Sequence, residues 1–173
     1  MKNLKLYISL TLLIFTLSLS AQKITIGTCQ TKDGGEYNGE IVSGRAHGKG
    51  KAVYPNGDTY EGSYEKGRRD GFGVYTFFDG EKYEGQWIQD HQHGKGTFHF
   101  LNGNKYSGLW YKDNQQGHGV MYYFNGDVYD GDWQMDKRDG LGKYTYQNGA
   151  YYDGTRRDDA KNGNGTFCWA DGT

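Results

Sequence analysis

The stretch YEGQWIQDHQHGKGTFHFLNGNK, residues 83–105, decides the fold, because its features recur along nearly the whole chain. It opens on Tyr83-Glu84-Gly85, carries Gly94 and Gly96 two apart in its middle, and closes with Asn102-Gly103 near its end. The opening triplet returns at Tyr37-Asn38-Gly39, Tyr60-Glu61-Gly62, Tyr106-Ser107-Gly108, Tyr129-Asp130-Gly131 and Tyr152-Asp153-Gly154, always 23 residues apart. With each Tyr as position 0, Gly-x-Gly stands at +11 and +13, from Gly48/Gly50 to Gly163/Gly165. Asn-Gly or Asp-Gly stands at +19 and +20, from Asn56-Gly57 to Asp171-Gly172. Gly27 and Asp33-Gly34 fit the tail of the same frame. An N-terminal half repeat over residues 22–36 therefore precedes six full units at 37–59, 60–82, 83–105, 106–128, 129–151 and 152–173. Self-similarity at such a period marks an architecture in which each unit buries its apolar face only against its neighbours.

Asn-Gly and Asp-Gly between alternating segments signal β-hairpins, because a type I′ turn needs positive φ at both central residues. The spacing predicts a strand at +12 to +18, a two-residue turn at +19 and +20, and a second strand from +21 into the next unit's +4. The glycine-rich stretch from +5 to +11 then becomes the longer connection. The expected fold is all-β, a single elongated antiparallel sheet of tandem 23-residue hairpins. Strand alternation puts 0, +2 and +4 on one face, and +13, +15 and +17 on one face. Those positions hold the repeat Tyr, then Trp87, Trp110 or Trp133 at +4, and a ring at +17 from Tyr54 to Trp169.

The composition agrees. Among 173 residues there are 29 Gly, 16 Tyr, 8 Phe and 4 Trp but one Pro, which excludes collagen and is far too aromatic for a disordered chain. Rings cover sheet glycines, so the aromatic stripe reads first as core. Tyr37 and Trp169 end the array with one flank uncovered. The candidate interaction surface is therefore Tyr37, Trp87, Trp110, Trp133 and Trp169, with the loop pair Arg68 and Arg69.

Lys2 and Lys5 precede an apolar run from Leu6 to Leu19 and then Ser20-Ala21. This is the layout of a secretory signal over residues 1–21, too short to span a bilayer, with cleavage after Ala21 or after Ser20. Without Lys2 and Lys5, 18 bases face 21 acids, a balance of −3 with His neutral. Export to periplasm, envelope or medium and a negative balance argue against nucleic acid and give no bulk attraction to anionic lipid. Cys29 and Cys168 lie six units apart, too far to pair within an open sheet. In an oxidising compartment they point to pairing between chains, a homodimer. The chain stops short of a seventh repeat Tyr, as a fragment or an uncapped array would.

Chemistry-bearing motifs are absent. No Gly-x-Ser-x-Gly elbow occurs, and the Gly-x-Gly pairs are strand punctuation, not phosphate loops. His91-x-His93 lacks the further ligands of a zinc site, since +10 also holds Asp70, Gln116, Asp139 and Asn162. Asp90, Asp113, Asp136 and Asp159 at +7 stand about 10 Å apart, too far to share a cation. No catalysis, cofactor or metal is expected.

Six tandem units reading Tyr-x-Gly-x-Trp, Gly-x-Gly and Asn-Gly resemble MORN repeats (membrane occupation and recognition nexus), of the bacterial exported kind. The resemblance covers residues 27–173. It departs where Asp replaces Gly at +7 in the last four units, and where Ile41 and Arg156 replace the +4 ring. It implies a non-catalytic scaffold for protein–protein interaction or assembly in the cell envelope, membrane-associated in some members. The alternatives it leaves open are a membrane-lipid or glycan-binding module, and the regulatory segment of a larger enzyme such as a phosphatidylinositol-phosphate kinase.

Overall fold

The computed structural model describes residues 23–173; the signal segment expected at residues 1–21 lies outside them. Thirteen strands follow in order: β1 (Thr25–Gln30), β2 (Glu36–Val42), β3 (Arg45–Val53), β4 (Thr59–Glu65), β5 (Arg68–Thr76), β6 (Lys82–Ile88), β7 (His91–His99), β8 (Lys105–Tyr111), β9 (Asn114–Tyr122), β10 (Val128–Gln134), β11 (Lys137–Thr145), β12 (Tyr151–Arg157) and β13 (Ala160–Cys168). Each pairs antiparallel with the next in one open sheet, and no described residue is helical.

The hairpins are framed differently from the sequence expectation. The two-residue turns fall at +6 and +7, where both residues have positive φ: Ser43 and Gly44 (50° and 74°), Gln89 and Asp90 (49° and 76°), Met135 and Asp136 (49° and 66°). That is the type I′ requirement. The glycine-rich stretch is therefore a tight turn running straight into a strand at +8 to +16, not a long connection. The Asn-Gly segment is the longer link. In Tyr54–Asp58 the Gly57 N–H donates to the Tyr54 carbonyl at 2.9 Å and the Tyr54 N–H to the Asp58 carbonyl at 2.9 Å. Only Gly57, at φ 90°, turns left-handed there. The second strand runs from +22 to +5.

Within each hairpin the register slips between +2 and +4, as between Gly62 and Tyr64 opposite Gly73 and Arg69. The extra residues of the longer strand bulge at +10 to +12. The repeat Tyr fills the space this opens: the Tyr60 hydroxyl donates to the Ser63 carbonyl at 3.0 Å, and Tyr83 and Tyr106 repeat the bond to Gln86 and Leu109. Gly62 and Gly73 face each other beneath the phenol, and a Cβ on Gly73 would collide with it. Tyr37, Tyr60, Tyr83, Tyr106 and Tyr129 are all 0 % exposed. Burial pushes the Tyr37 and Tyr129 hydroxyls up to about 12 and those of Tyr60, Tyr83 and Tyr106 further, so they stay neutral donors.

Tyr60, Tyr83 and Tyr106 each meet two +4 rings edge-on, and Tyr37 and Tyr129 each meet one. Tyr83 lies 5.2 Å from Trp87 and 5.2 Å from Trp110, and Tyr106 lies 5.3 Å from Trp110 and 5.2 Å from Trp133. Such T-shaped pairs add about 1 kcal/mol each beyond the area they bury. The indole N–H groups are used internally, Trp110 donating to the Gly96 carbonyl at 3.2 Å. The rings thus form a continuous ladder along the sheet.

Both long edges are stitched from repeat to repeat. On the tight-turn edge, the main-chain N–H of Asp90, Asp113, Asp136 and Asp159 donates to the +9 carbonyl of the preceding repeat. Their carboxylates accept the +9 N–H groups of Arg69, Gln92, Gln115 and Arg138 at 2.9, 2.8, 2.7 and 3.1 Å. Asp at +7 is more than a turn former: it clamps neighbouring hairpin tips together. On the loop edge Asp127 accepts the Tyr144 hydroxyl at 2.7 Å and the Gln147 N–H at 2.8 Å, and Asp58 likewise holds Tyr75 and Phe78.

Candidate functional site: a groove on the ring-bearing face

On the ring-bearing face a groove of about 1060 Å³ crosses the strands. Its floor is Trp87, Trp110 and Trp133 with the +9 side chains that face them across the hairpins, Gln92, Gln115 and Arg138. Half-buried rings at +17, namely Phe77, Phe100 and Tyr123, wall it on the loop side. The +7 carboxylates rim it on the turn side.

The +9 slot divides the groove. Arg69 stacks its guanidinium 4.6 Å from the Trp87 ring centroid and 5.2 Å from that of Tyr75, with Nε 3.5 Å from the Asp90 carboxylate. At the other end the Arg138 Nε donates to Asp159 at 2.8 Å. Burial opposes the charges of Arg138 and Asp159, but their bond outweighs it, raising the Arg138 pKa and lowering that of Asp159. Between them the hydrogen bonds of Gln92 and Gln115 among the described residues use main-chain groups only, and both carboxamides face the groove. Asp113 meets His91 at 2.5 Å, and Asp136 has no cation partner among the described residues. The centre of the groove is therefore open and acidic, and its ends are filled and neutralised.

Of the residues singled out in the sequence, Trp87, Trp110 and Trp133 reach the groove as its floor, only 3, 6 and 5 % exposed. Arg69 lines the groove, but Arg68, one residue away on the strand, is exposed on the other side. Tyr37 presents no surface: β1 covers the flank expected to be bare, and the ring is fully buried. Trp169 is 62 % exposed beyond β13, far from the groove. Sequence reasoning missed Gln92, Gln115 and the +17 wall as a site. The visible signal was a polar slot at +9 between ring-bearing positions.

Two further surfaces stand out. The opposite face has a groove of about 700 Å³ containing Lys95, His99, Lys105 and His118. Burial, with Lys82 and Lys105 nearby, depresses the His99 pKa. On the loop edge Phe78, Leu101 and Phe124, each at +18, project 81, 68 and 76 % exposed. Among the described residues no three His, Cys, Asp or Glu side chains gather as a metal site would require.

The MORN repeat profile matches residues 37–59, 60–82, 83–105, 106–128, 129–151 and 152–173, the same six units. The chain belongs to the MORN repeat family. No curated protein matches it. Among solved structures, the SAS-4 (dCPAP) TCP domain of Drosophila melanogaster, in complex with a proline-rich motif of Ana2 (dSTIL), is similar at TM-score 0.51 and 14 % identity, over 99 % of this chain and 95 % of that one. That likeness is one of fold. The G-box domain of the microcephaly protein CPAP aligns at 14 % identity over 84 % of this chain and 99 % of its own, with a TM-score of only 0.25.

Proposed function

We propose that this chain is a non-catalytic, exported scaffold that holds a protein partner along its ring-bearing face. The observation that carries the reading is the open centre of the groove. Unpaired carboxamides and an unneutralised carboxylate sit there beside half-buried rings, whereas the same slots are filled by Arg on both sides. Apolar walls with a few convergent polar groups are what a binding cleft needs. A repeat sheet also spreads such contacts over a long surface. The similarity to a domain solved with a segment of another protein accords with this reading.

A photo-crosslinking amino acid at Gln115, compared with one at Leu141 on the opposite face, tests it in the native envelope. Protein adducts from position 115 alone are expected. Adducts from both positions equally, or only a second copy, lipid or glycan at 115, would contradict it.

Membrane contact is a second reading, favoured by the stripe Phe78, Leu101 and Phe124. Interfacial binding scales with buried apolar area. Replacing all three by Ser should then abolish co-sedimentation with vesicles; unchanged sedimentation removes this reading.

A further inference from the structure

The groove restricts the conformation of what it holds. Resting on the reading that the groove takes a protein, we infer that the occupant is a proline-rich, Lys- or Arg-bearing segment in the polyproline II conformation, three residues to each repeat.

The argument is one of period and charge. Each repeat supplies two strands, so equivalent positions recur every ~9.6 Å along the groove. A polyproline II helix repeats its facing every three residues, or about 9.3 Å. Over the three repeat steps from Arg69 to Arg138 it would drift by only about 1 Å. An α-helix recurs every seven residues, or about 10.5 Å, and would drift by about 3 Å over the same span. A β-strand turns the same way only every two residues, about 6.7 Å, and misses the repeat outright.

The donors and charges fit as well. Polyproline II has no internal hydrogen bonds, so its carbonyls are free to accept from the Gln92 and Gln115 carboxamides. Prolines of successive triplets rest on Phe77, Phe100 and Tyr123, as prolines do in aromatic-lined grooves. Asp113 and Asp136 face the third residue of each triplet without an Arg to neutralise them, whereas Asp90 and Asp159 have Arg69 and Arg138. A cationic side chain every third residue complements that rim.

The test titrates the purified chain with three synthetic peptides, followed by calorimetry. One has four Pro-Pro-Lys triplets, one has the same residues with the triplet spacing broken, and one has Pro-Pro-Gln triplets. The periodic Lys peptide should bind at least about tenfold tighter than the other two. The double variant Asp113→Asn/Asp136→Asn keeps both tip acceptors and hence the fold, which a thermal melt verifies. It should lose about tenfold for the Lys peptide and nothing for the Gln peptide. Equal binding of the periodic and broken-period peptides, or an affinity unmoved by the double variant, overturns the inference. If no peptide binds while Gln115 still crosslinks to a protein, this inference falls and the scaffold reading stands. If neither occurs, both fall.

Discussion

The two central repeats, 83–105 and 106–128, and their flanks, 60–82 and 129–151, share one construction and part company at +9, the slot that faces the groove. All four bury a repeat Tyr over a pair of facing glycines, and the tip of each is clamped by the +7 Asp of the repeat that follows it. At +9 the flanks have Arg69 and Arg138, each held against rings and a carboxylate, and the centre has Gln92 and Gln115. What recurs builds the sheet, because the repeat Tyr and its glycines meet the same neighbours in each of these units, and Asp90, Asp113, Asp136 and Asp159 make the same clamp. What varies at +9 decides where the groove is filled. A repeat protein can therefore place a site by changing a single position in two adjacent units.

The shared layer should be the most costly to disturb, and equally costly in centre and flank. Gly73→Val and Gly96→Val each push a side chain into a buried phenol. Each should lose about 3 kcal/mol or more in urea unfolding. A tolerated substitution at Gly96 beside a severe one at Gly73 would break the claim that the layer is common to both.

The tip clamp should separate the two regions. Asp90→Ala removes a charged acceptor and the nearer of the two carboxylates facing the Arg69 guanidinium, a loss of about 2 kcal/mol. Asp136→Ala removes the acceptor alone and should lose about 1 kcal/mol. Equal losses would mean that Arg69 and Gln115 sit in equivalent surroundings.

The smallest effect is a pH dependence on the loop edge. The Tyr144 hydroxyl leads the bonds that hold the Asp127 carboxyl below its ordinary 3.8. At Asp58 burial works the other way, but bonds from Tyr75, the Phe78 N–H and Asn56 outweigh it. A depressed folded value contributes stability that is complete above the unfolded value and is lost as pH falls through the folded one. Stability should therefore drop below about pH 4, and Asp127→Asn should flatten that drop. An unchanged acid profile would remove Asp127 from the stitching of this edge.

Much of this was legible in the sequence. The 23-residue period, the all-β sheet, the ring-bearing face and the limits of the six units follow from residue identity alone, because the same contacts recur in every unit. The turns were not legible. Asn56-Gly57 carries the I′ signature yet takes positive φ only at Gly57, while Lys66-Gly67 and Met135-Asp136 form the tight turns although Lys66 and Met135 are residue types that rarely adopt that conformation. Neighbouring repeats supply the compensation, through the tip clamp, and a pattern read along one strand does not show contacts 21 residues away. The groove was hidden for the same reason. Gln92 and Arg69 read as loop residues until the tight turn moves +9 into a strand opposite +4.

The double variant Gln92→Arg/Gln115→Arg tests the central claim most directly, because it copies the flanking slots into the centre, with Asp113 and Asp136 in place as partners. Folding and melting temperature should be close to those of the parent chain. Crosslinking from the groove, and retention of the native partner on the immobilised chain, should be lost together. A folded variant that retains its partner with undiminished affinity would show that the open centre of the groove is not where this protein binds.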